Sequence, residues 1–123
     1  MFRQVRDAFP ALKEGAPEIL NADLSRLDDA GEIDLIKKIA AFPVVVEGAA
    51  RAHEPHRLAF YLYDLAAAFH GQWSRGNDLP HLRFIQPGDG TVTAARLALI
   101  EANTRVLASG LALLGVLAPE EMR

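Results

Sequence analysis

TAARLALIEANTRVLASGLALL, Thr93 to Leu114, carries Leu97, Leu99, Ile100, Val106, Leu107, Leu111, Leu113 and Leu114. As a helix it is roughly 33 Å long, at about 1.5 Å per residue, and its apolar side chains fall on nearly every side of the wheel. A surface helix keeps a polar face, so this one is expected at the centre of a bundle. Thr93 suits the N-cap, because its hydroxyl can accept an otherwise unpaired N–H. Gly115 suits the position just past the helix end, and Pro119 lies beyond it. Gly110 leaves room for a neighbouring helix to come close.

Upstream, Pro55 opens a helix to about Arg75, with Leu58, Leu62, Leu65, Ala66 and Phe69 on one stripe and Gly76 and Asn77 ending it. Pro43 opens a shorter one, where a missing N–H costs nothing, with Val44, Val45, Ala49 and Ala50 as its apolar content and an end by Glu54. The helix before it starts at Asp28 or Asp29, turns Ile33, Ile36, Ile39 and Ala40 inward, and stops at Phe42. Phe2, Val5, Phe9 and Leu12 fit a first helix that Pro10 weakens. Between them, Gly15, Pro17, Asn21 and Ser25 read as a connector with a short turn near Glu18 to Leu20. Residues 77–92 form a loop in which Leu82, Phe84 and Ile85 interrupt the polar run. No alternating strand pattern or internal repeat is present, so the fold class is all-α, a single domain over residues 1–123 built as a bundle of about five helices.

The composition bounds the function. With 123 residues, half of them apolar, one core is affordable without staples, and the absence of cysteine removes disulfides and thiol chemistry. There is no signal-peptide pattern and no run of about 18 consecutive apolar residues, so neither secretion nor a membrane partner is expected, and a cytoplasmic home is compatible. A net charge of −3 argues against coating duplex DNA by bulk attraction. RNA remains open, since splayed bases are read partly by aromatic stacking.

No P-loop, dinucleotide fingerprint or nucleophile elbow is present. Gly88-Asp89-Gly90 reads as an ordinary turn. His53 and His56 are separated by Pro55 at a helix start and lack a third ligand, so no metal site is expected. His70 beside an apolar stripe reads as a half-buried histidine. The acidic pairs Asp28-Asp29 and Glu120-Glu121 are solvated neighbours that diverge. No nucleophile, base and oxyanion donor come together, and no catalytic residue is assigned. Tyr61, Trp73 and Phe84 are core candidates with a possible surface role. Trp73 stands out, amid Gln72, Ser74, Arg75 and Asn77 in the last turn of its helix, where a ring with donors around it can stack on a base.

EPHRLAFYLYDLAAAFHGQW, Glu54 to Trp73, followed in order by LRFI at 82–85, ARLALIEANTRVLASGLALLGV at 95–116 and APEEM at 118–122, resembles the C-terminal DALR anticodon-binding domain of arginyl-tRNA synthetases. The likeness covers about the last 70 residues closely, and FRQVRDAF and residues 33–42 fit more loosely. The resemblance implies a module that docks on the anticodon stem and loop of arginine tRNA, while a catalytic domain of the same enzyme ligates arginine using ATP with magnesium. This chain itself is expected to need no cofactor. The implied RNA-facing residues are Trp73, Ser74, Phe84 and Met122, and Arg57, Arg75 and Arg83 are added as phosphate contacts by their nearness to these segments. Family members commonly have tyrosine then asparagine where Trp73 and Ser74 stand, which keeps a stacking face and loses one hydrogen-bonding group. The family's YVQYAHAR-like segment is missing, as are the HIGH-like and KMSKS-like motifs, so the chain reads as a fragment truncated at its N-terminus. Two rival readings are a free-standing helical protein-interaction module and the related domain of cysteinyl- or methionyl-type synthetases.

Overall fold

The computed structural model describes residues 22–121, with side chains as far as residue 117. Four α-helices make up most of it, and no strand occurs among the described residues. They are α1 (Ala30–Ala40), α2 (Phe42–Ala52), α3 (Pro55–Asp78) and α4 (Gly90–Glu121), with 3-10 turns at Leu24–Arg26 and Pro80–Leu82. The bundle is all-helical as expected. The fifth expected helix, Phe2 to Leu12, and the turn near Glu18 lie outside the described residues.

Helix α1 starts on a capping box. The Asp29 carboxylate accepts the Gly31 N–H at 3.0 Å, and the Glu32 carboxylate accepts the Asp29 N–H at 3.4 Å. Glu32 and Leu35 are buried, Ile36 and Ile39 half-buried, and Ile33 and Ala40 exposed. The inward face is therefore turned from the expected one, because Glu32 has a buried partner and takes a core position. Pro43 in the first turn of α2 separates it from α1 after Ala41 alone. In α2, Ala49 is buried and Val45 half-buried, whereas Val44 is 72% exposed and Ala50 also faces out. The helix closes in a Schellman arrangement, with Glu54 N–H donating to the Ala49 carbonyl and His53 N–H to that of Ala50. His53 takes the left-handed conformation, φ 55°, that this ending requires. Pro55 then opens α3 directly.

Helix α3 packs on α1, α2, α4 and the second 3-10 turn, so it shares the centre with α4. Leu58, Leu62 and Leu65 form its buried stripe, Phe69 is half-buried and Ala66 is exposed. Gly76 and Asn77 do not end it, since α3 runs on to Asp78. At Gly110 of α4 a Cβ would lie 2.4 Å from Leu62 Cδ2, so the close helix approach expected there is real.

Helix α4 begins at Gly90, three residues before the expected start. Asp89 caps it by accepting the Val92 N–H at 3.1 Å. Thr93, fully buried, instead accepts the Gln86 N–H at 2.8 Å and ties down the preceding loop. The helix also continues through Gly115 and Pro119 to Glu121, and the bond that Pro119 cannot donate is the one to the Gly115 carbonyl. From Ala94 to Ile100 it is almost wholly buried, but Leu111 and Val116 are each 61% exposed, so only its first half is central. By length and composition Gly90–Leu117 could cross a membrane. In this fold the apolar residues of its first half instead pack against the other helices, while Leu111, Leu113 and Val116 stay exposed.

Candidate nucleic-acid interface

After Asp78 the chain doubles back, and the loop that follows lies against the last turn of α3. A Cβ on Gly76 would come within 3.1 Å of Arg83 Cα and Cγ, so a bare helix face at Gly76 is what lets the loop sit there. Arg83 Nε donates to the Gly76 carbonyl at 2.9 Å, and its two terminal nitrogens have no protein partner among the described residues. Gln86 Nε2 stitches the loop to itself, donating to the carbonyls of Pro80 and Arg83, both at 2.8 Å.

Phe84 points inward. It is 3% exposed and packs with Ala94, Leu97 and Ile100, its ring edge-on to Phe69 at 5.6 Å. It is the anchor that ties the loop to the bundle. Trp73 lies half-buried across it, ring centroids 5.1 Å apart and planes tilted by 38°. Trp73, Gly76 and Asn77 from α3 and Arg83, Phe84, Ile85 and Pro87 from the loop enclose a mainly apolar groove of about 350 Å³. An indole with one face supported by protein, beside an amide and a guanidinium end unpaired among the described residues, can hold a flat ring and an anionic group together.

Both walls are braced by the start of α1. Asp29 Oδ2 accepts from Gln72 Nε2 and Arg75 Nη1, each at 3.0 Å. Burial pushes the Asp29 carboxyl up, but these hydrogen bonds and the one from Gly31 outweigh it and hold its pKa below the usual carboxylate value. Glu32 Oε1 accepts from Arg96 Nε at 2.6 Å, with the two side chains 1% and 6% exposed. Arg96 Nη1 continues to the carbonyls of His81 at 3.0 Å and Arg83 at 2.7 Å.

The expected site residues therefore divide. Trp73, Phe84 and Arg83 meet in one groove, whereas Ser74, half-buried, is not among the residues that line it. Arg75 is engaged by Asp29, and Arg57 pairs with Glu54 at the other end of α3, about 24 Å away along the axis. Met122 lies outside the described residues. Tyr61 is a packing residue: it stacks on Phe42, donates its hydroxyl to the Lys38 carbonyl at 2.5 Å, and has its pKa raised by burial. Sequence reasoning placed Asn77 near Trp73 but missed Ile85 and Pro87 as groove walls and Glu32 and Arg96 as their support. The last two did leave a signal, in the glutamate three residues after Asp29 and in the lone charge within AARLALI.

A family model described as the DALR anticodon binding domain matches residues 2–122. Among curated proteins, the chain is 56% identical over 123 residues to an arginine–tRNA ligase of Methylobacterium nodulans and 57% identical over 123 residues to one of Beijerinckia indica. It is 55% identical over 127 residues to one of Nitrobacter winogradskyi. All of this chain is covered in each case, and 21% of the relative. The chain thus spans about a fifth of the length of the curated relatives it matches. No solved structure matches it significantly. A family match over nearly every residue, on an all-helical bundle, gives the assignment: the chain belongs to the DALR anticodon-binding domain family.

Proposed function

We propose that this domain recognises the anticodon stem and loop of arginine tRNA, as part of a cytoplasmic enzyme whose catalytic domain ligates arginine to that tRNA with ATP and magnesium. The observation that carries the reading is the groove itself: Trp73 offers a supported ring beside the open end of Arg83. An unpaired base stacks on Trp73, Arg83 meets a backbone phosphate, and Asn77 supplies a hydrogen bond at the rim, while Ser74 keeps the role that the resemblance implies. Phe84 supports Trp73 from behind. Arg57 and Arg75 are held by carboxylates, so the reading does not rest on them, and Met122 keeps the role the resemblance implies.

A protein partner is the second reading, favoured by the exposed Leu111 and Val116 on α4. Titrating the chain with arginine tRNA and with other purified tRNAs tests the first. Salt-sensitive binding of the arginine tRNA that Trp73→Ala weakens supports it. Salt-independent indifference to all tRNAs would sink it.

A further inference from the structure

We propose that the buried Glu32–Arg96 pair, with Asp29 beside it, is the positioning device of the RNA-facing groove, so that tRNA affinity depends on Arg96 although Arg96 touches no RNA. This rests on the tRNA-binding reading above. The groove has two walls on separate segments, Trp73 and Asn77 on α3 and Arg83 to Pro87 on the loop. Each wall is held from the same turn of α1. Asp29 takes Gln72 and Arg75, which flank Trp73 and Ser74, and Glu32 takes Arg96, which holds the carbonyls of His81 and Arg83. Asp29 and Glu32 cap one another, so the distance between the walls is set through one hydrogen-bonded turn.

The chemistry of Arg96 fits this task and no contact role. At 5% exposed it is engaged by protein, with Nε on Glu32 and Nη1 on two loop carbonyls. Its planar fork directs Nε to the carboxylate and Nη1 to two loop carbonyls, a geometry that a lysine ammonium on a flexible stem does not reproduce. For core stability alone such a pair is a weak device, because apolar residues of the same volume commonly do as well. What only the fork provides is a fixed height for the backbone that carries Arg83 and Phe84.

The full chain has one tryptophan, Trp73, which makes the groove visible by fluorescence. Arg96→Lys and Glu32→Gln are to be compared with wild type by circular dichroism, acrylamide quenching of Trp73, and titration with an arginine tRNA transcript. We expect a helical protein in which quencher reaches Trp73 more readily and affinity falls about tenfold, the scale of one lost stacking contact. Adding Arg83→Gln to Arg96→Lys should then weaken binding less than it does in wild type, because the guanidinium is already displaced. A folded Arg96→Lys protein with wild-type affinity or unchanged quenching overturns the assignment. Loss of helix in both variants also overturns it, by showing a role in folding alone. Wild-type protein that binds no tRNA would overturn the functional reading together with this one, whereas tight wild-type binding that both variants keep would overturn this one alone.

Discussion

At Trp73 the indole divides its surface between Phe84 and the groove, so removing it has two separable effects. For Trp73→Ala we expect a loss of about 1–3 kcal/mol in stability, below the 3–5 kcal/mol typical of a fully buried ring, measured by urea unfolding. Binding to arginine tRNA should weaken by a further 1–3 kcal/mol or so, while Trp73→Phe should restore most of both. Full tRNA affinity in the alanine variant would remove the stacking role. Arg83 is a test of charge instead. Arg83→Gln should flatten the dependence of log affinity on log salt by about 0.7, the contribution of one single-strand phosphate contact, with stability changed by less than about 1 kcal/mol. An unchanged salt slope would show that its terminal guanidinium nitrogens meet no phosphate.

Among the elements, the junctions carry most of the information. His53 holds a left-handed backbone at the end of α2 for the sake of the turn into α3, so His53→Gly should raise stability by about 1 kcal/mol in thermal or urea melts. No change there would mean that the side chain returns what the backbone loses. Gly76→Ala should do the opposite, since its new methyl would press on the backbone of Arg83, and a cost of about 1–3 kcal/mol with weaker tRNA binding is expected. The junctions also show how far the sequence could be read. Pro43, Pro55 and Asp29 with Glu32 were legible because their effects are local: a missing N–H or a short carboxylate acts within one turn. Gly76, Thr93 and Gly115 were misread as helix ends because each has a local meaning that a distant contact or the continuing helix overrides. Gly76 makes room for a loop residue seven positions on, and Thr93 serves a backbone N–H seven positions back. The candidate site was legible to the same extent. Trp73 and Arg83 could be placed by their neighbours in sequence, but whether Phe84 faces in or out depends on Ala94, Leu97 and Ile100, and no spacing reports that.

Over the whole molecule, acid should act on the carboxylates held low among the described residues, of which Asp29 and Asp89, unlike Asp23, tie separate segments together. Asp89 is held below its ordinary pKa by the Val92 N–H and by Arg26, and Asp29 by the donors that outweigh its burial. Because both folded values are depressed, their contribution is complete above the ordinary 3.8 and is lost as pH falls through the lower folded values. The urea midpoint should therefore hold above that pH and drop below it, and Asp29→Asn with Asp89→Asn should flatten the drop. The Glu32–Arg96 bond joins residues 64 apart, whereas the hairpin of α2 and α3 closes within a few residues. Closing the longer loop exacts more chain entropy, so the hairpin should assemble first and the ion pair should form on the native side of the rate-limiting barrier. In stopped-flow kinetics Glu32→Gln would then leave the refolding limb where it is and raise the unfolding limb, which makes this bond a latch on the lifetime of the folded state.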